Sequence, residues 1–64
     1  MKYTEVTYKF IKTGGVHTNT VRETKGQEEL YYRYIISTIQ GILDAKDVSG
    51  RQLAVIVSVE EREG

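Results

Sequence analysis

The sequence predicts an α+β fold: one small β-β-α-β domain, a three-stranded antiparallel sheet with a single helix packed on one face. Three observations predict it. YTEVTYKFI near the N-terminus alternates along the chain, the period of a half-buried strand. The middle third repeats its apolar residues at about 3.6, the helical period. LAVIV, at Leu53–Val57, is the longest apolar run and is rich in β-branched residues.

In the first strand Thr4, Val6, Tyr8 and Phe10 fall on one side, and Tyr3, Glu5, Thr7 and Lys9 on the other. VHTNTVRET follows as a weaker, more polar strand suited to a sheet edge. Between them lie Gly14 and Gly15. A two-residue type I′ turn needs positive φ at both positions, which two glycines supply. That turn would place Tyr8 opposite Val21 and Phe10 opposite Asn19. A slip of one residue would turn a strand to its wrong face.

Thr24 and Gln27 have the spacing of a capping box, and Glu28 and Glu29 suit the first turn of a helix. Tyr31, Tyr32, Ile35, Ile39, Ile42 and Leu43 then form one stripe, flanked by Ile36. The two tyrosine rings are expected to pack with their hydroxyls reaching solvent. Gly41 costs about 1 kcal/mol in mid-helix, yet the stripe stays in phase beyond it. DVSG is the turn out. In the last strand Leu53, Val55, Val57 and Val59 are expected to face the helix, and Ala54, Ile56 and Ser58 the other side. The expected bounds are a hairpin over 2–24, a helix over about 25–46, a strand over about 52–60, and a frayed charged end at 61–64, all in one domain of residues 1–64. Sheet order 2-1-3 follows if the polar second strand lies at an edge. The alternative sets the last strand parallel beside the second.

Composition limits the chemistry. A chain of 64 residues buries only about 60% of the surface its unfolded form exposes. Small domains of this kind often need a staple or a partner. With no cysteine and one histidine, neither a disulfide nor a protein-only zinc site is expected. No cofactor, membrane span or signal segment is read, and a cytoplasmic location is expected.

No catalytic residue is assigned. His17 lies beside the hairpin glycines without a nucleophile motif, so a solvated role is expected. The glycine pair lacks the lysine or third glycine of a phosphate loop and is followed by a strand. The acids of DAKD and VEERE read as solvated surface, because the fold leaves little room for a cleft.

Surface features carry more. Leu30, Tyr34 and Gly41, with Ala45 beyond them, form a strip off the core stripe where another chain could approach. The sheet face away from the helix would show Tyr3, Thr7, Lys9, Ile11, Thr18, Thr20, Arg22, Ala54 and Ile56, of which Ile11 and Ile56 could be covered by a second copy. The expectation is a small non-enzymatic interaction protein that self-associates or binds another protein as a regulator or inhibitor. The alternative is a nucleic-acid-binding module using Lys2, Lys9, Lys12 and Arg22 on the hairpin and open sheet face. A net charge of zero disfavours it.

Overall fold

A computed structural model describes all 64 residues, Met1–Gly64. Its elements are β1 (Lys2–Phe10), β2 (Val16–Arg22), α1 (Glu28–Asp44) and β3 (Ala54–Glu63). The sheet order is β2-β1-β3, and both pairings of β1 are antiparallel. The α+β class, the order and the single helix therefore agree with the sequence. The alternative pairing of the last strand with the second does not occur.

The hairpin register differs from the expected one. Tyr8 pairs with His17 and Val6 with Asn19, so the ladder has slipped by four residues from a two-residue turn. The cause is the neighbouring strand. The Ile11 amide donates to the Leu53 carbonyl at 3.1 Å, and β1 leaves β2 at Phe10. Residues 11–14 make the loop, closed by Gly14 N–H to the Phe10 carbonyl and Phe10 N–H to the Gly15 carbonyl. Of the two hairpin glycines only Gly14 has positive φ, at 74°. An even slip keeps each side chain on its face, so Thr4, Val6, Tyr8 and Phe10 still look toward the helix.

The helix begins three residues later than expected, at Glu28, without a side-chain cap. Gly26, at φ 80°, shapes a turn in which Gln27 N–H donates to the Thr24 carbonyl. That turn uses Thr24 through its backbone, so no capping box forms. Beyond the helix, Lys46 and Gln52 form an isolated antiparallel bridge. At the other end β3 continues through Glu63, and Gly64 N–H donates to the Met1 carbonyl at 2.9 Å. The expected frayed end is thus paired with the start of β1.

β3 contains the main surprise. It shifts register against β1 where Thr7 pairs with Ser58 and Tyr8 with Ile56, which makes Val57 an extra, unpaired residue. Such a bulge inverts the face pattern along the strand. Ala54, opposite Phe10, and Ile56, opposite Tyr8, face the helix, while Val55, opposite Lys9, faces away. Beyond the bulge Val59 faces the helix opposite Val6. The expected facing of Ala54, Val55 and Ile56 is therefore reversed.

The core is small. Val6, Ile42 and Ala54 form its centre, with Tyr8, Phe10, Ile39 and Ile56 packed around it. Tyr31 and Thr4 are buried together at one end, where their hydroxyls share a hydrogen bond. The Tyr31 hydroxyl does not reach solvent, contrary to expectation. Every buried side-chain polar atom has a partner.

This pair generates a test. Tyr31→Phe leaves the Thr4 hydroxyl buried and unpaired, which costs about 1–3 kcal/mol. Adding Thr4→Val removes the stranded group, so the double variant should lose less than the sum of the singles. Urea unfolding of the four proteins measures the coupling; strictly additive losses would deny the bond its role.

Candidate interaction surface

α1 lies along the sheet with its N-terminal half over Thr4 and its C-terminal half over Phe10 and Ala54. Thr4–Tyr31 and Ile42–Ala54 fix the two ends. Its buried side carries Tyr31 and Ile42, with Ile35 and Ile39 half-buried. At 100° per residue, Tyr32, Ile36 and Leu43 fall together to one side of that face. They stand in solvent, at 46%, 65% and 41% exposure. Tyr32 and Leu43 were expected on the core stripe. The helix is rotated so that Tyr31 and Ile42 face down, which turns them outward.

Lys2 identifies which side of the sheet this flank overlooks. The Tyr32 hydroxyl and the Glu61 carboxylate hold its ammonium above the usual lysine range, and Glu61 approaches it at 3.6 Å. Glu61 lies on β3, and the opposite flank at Gly41 and Ala45 borders a groove reached by Asn19 of β2, so the Tyr32 flank is the β3 side. Below it runs the outer edge of β3, with Val57 at 56% and Val59 at 45% exposure. The sequence held a clue in its second apolar series, Tyr32, Ile36 and Leu43, but the phase of the helix was needed to read it as surface.

Leu30, Tyr34 and Gly41 occupy the opposite flank. Leu30 is half-buried and Tyr34 exposed. Gly41 borders an apolar groove of about 360 Å³, walled by Tyr8, Phe10, Ile42 and Ala54 and reached by Asn19 of β2. Ile11 is exposed on the loop after β1. Ile56 belongs with the core rather than with the open sheet face, because of the bulge.

The open face is hydroxylated and charged. Thr7 and Thr18 hydroxyls meet at 3.1 Å, and Arg62 bonds both Glu5 and Glu60. Those contacts and the Glu5 carboxylate first of all hold the Arg62 guanidinium in its charged form. Arg22 lies 5.5 Å from the centre of the Tyr3 ring. The four residues named for nucleic acid do not make one patch. Lys2 and Arg22 sit at one end of β1–β2 and Lys9 and Lys12 at the other, with Lys2 on the helix side.

His17 stacks on Tyr8 at 5.8 Å and meets Phe10 edge-on at 5.1 Å, so it completes an aromatic cluster. No three histidine, aspartate or glutamate side chains converge in a metal-binding group. No helix is long and apolar enough to cross a membrane.

A second concavity, about 740 Å³, lies between the hairpin loop and residues 47–53. Its rim is set by Asp47, whose carboxylate accepts from the Ser49 hydroxyl and from the Ser49 and Arg51 amides. Val48 projects fully into solvent from this turn.

Two tests follow. A Cβ at Gly41 would meet no atom within 4 Å. Gly41→Ala should therefore gain the helical preference of alanine, about 1 kcal/mol, and raise the melting temperature by about 4–8 °C. The bonds from Ser49 and then Arg51 hold the Asp47 carboxyl below its ordinary value of 3.8. A lowered folded value means the turn is fully supported above pH 3.8 and weakens as pH falls through the folded value. Amide shifts of Ser49 and Arg51 should stay constant down to that pH and move only below it; Asp47→Asn should abolish the movement. No family model, curated protein or solved structure matches the chain.

Proposed function

We propose that this chain is a non-enzymatic interaction protein that works by self-association or by docking on another protein as a regulator or inhibitor. The observation that carries this reading is the imbalance between its core and its apolar surface. Only five side chains are buried, one of them a threonine, while eleven large apolar side chains stand in solvent. The accessible surface is 4708 Å², against about 4,200 Å² for a typical monomer of 7.3 kDa. Its radius of gyration is 13.1 Å, where about 11 Å is usual for this length. An open, elongated monomer has apolar area left to bury against something else.

A docking role also suits the lack of a convergent polar site. The larger concavity is bounded by a turn whose carboxylate is already committed to backbone amides. The chain contains no cysteine, which suits a reducing compartment, and we assign it to the cytoplasm. Nucleic-acid binding has less support, since its four basic residues are dispersed along the hairpin.

Sedimentation velocity from about 10 μM to 1 mM tests the self-association limb, in the concentration range of weak to standard interfaces. A sedimentation coefficient that rises with concentration is expected. A monomer throughout that range would leave only docking on a different protein.

A further inference from the structure

We infer that the self-association surface is the outer edge of β3 together with the Tyr32–Ile36–Leu43 flank of α1, and that its occupant is a second copy of this chain. The inference rests on the interaction reading above and specifies its site.

Three observations converge on this edge. β3 ends the sheet, so the outer side of its ten residues has no strand partner. An exposed apolar edge is a template for another strand, and native proteins usually blunt or cover it. The other edge, β2, is polar at its centre, with Thr18, Asn19 and Thr20. The exposed helical flank rises on the β3 side, so one approaching chain would cover both.

Antiparallel self-pairing of β3 keeps like faces together when it is centred on the bulge. Ala54 and Val59 face the helix, whereas Val55 and Ser58 face away. The two halves thus mirror each other about Ile56 and Val57. Antiparallel pairing about that centre sets Ala54 opposite Val59 of the second copy and Val55 opposite its Ser58, like face against like face. Both helices then lie on the same side of a six-stranded sheet, with their exposed flanks turned toward each other.

Charge selects the antiparallel arrangement. Glu60, Glu61 and Glu63 outnumber Arg62 at one end of the strand, which stays net negative even with Lys2 and Arg62 paired to it. Parallel pairing would set these acids beside themselves. Antiparallel pairing carries them to the end of the second copy that holds Lys46 and Arg51. A standard interface buries about 800 Å² per partner, about a sixth of the 4708 Å² available. The strand edge and the helical flank together offer five large apolar side chains toward that area.

The test uses sedimentation and circular dichroism on the full chain. The wild type should dimerise. Ile36→Glu and, separately, Val57→Lys should each weaken dimerisation at least tenfold while keeping the wild-type circular dichroism. Val16→Lys, on the far edge, should leave it unchanged. If Ile36→Glu loses helix, Ile36→Ala takes its place, with a smaller loss expected. Amide exchange across β3 should also slow as concentration rises. Dimers that survive both substitutions would overturn this interface and leave self-association standing. A wild-type monomer at 1 mM would overturn both.

Discussion

The arrangement of the molecule depends on one extra residue in β3. If Val57 took a regular place in the ladder, strict alternation would put Val59 on the face opposite both Ala54 and Ile56. Ala54, opposite Phe10, belongs to the core, and Val59, opposite Val6, stays on the helix side at the exposed margin. The bulge keeps both on that side. It also turns Val55 away from the helix and leaves Val57 unpaired in the ladder with β1. Core, open face and free edge are therefore consequences of one local irregularity. A bulge also increases strand twist, which helps a short sheet wrap beneath a single helix.

Because the core is so small, each buried contact takes a large share of the stability. Val6 is wholly enclosed between the two neighbouring strands and the helix. The Thr4–Tyr31 bond closes one end of this layer with a polar contact, which fixes the rotation of α1 about its axis. That rotation decides which helical residues face out. With Tyr31 pointing at Thr4, Tyr32 must point toward Lys2 and Glu61, and Ile36 follows one turn later on the same flank. A buried hydrogen bond thus sets the geometry of the apolar surface that remains exposed.

Much of this was legible in the residues. The alternation of Thr4, Val6, Tyr8 and Phe10 reads correctly because β1 has one face under the helix and no bulge of its own. The polar character of VHTNTVR marked β2 as an edge, and the sheet order followed. What local pattern missed was set by longer-range contacts. The hairpin register depends on Ile11 bonding Leu53, far along the chain. The late helix start depends on Gly26 at positive φ, where a capping pattern pointed to Thr24. Regular alternation puts Ile56 on the open surface; a bulge leaves no sign in composition, only two apolar faces on one strand. The sequence places Leu30, Tyr34 and Gly41 off the core stripe, and one residue's rotation of the helix hides the exposed flank opposite them.

An exposed apolar strand raises the question of where pairing stops. Strand addition at one edge can in principle continue and produce filaments rather than closed assemblies. Two features of this chain favour closure. Self-pairing of β3 uses the same edge of both copies, so the two-fold arrangement consumes it completely. The edges then left at either end of the sheet are both β2, with an exposed Thr, Asn and His surface between Val16 at the loop end and a half-buried Val21. Such a strand offers little apolar gain to a third chain. The acids of Glu60–Glu63 add a second limit, because they shorten the apolar part of β3 to the segment that is symmetric about its bulge. The polarity of one edge and the symmetry of the other together argue for a pair and against a polymer.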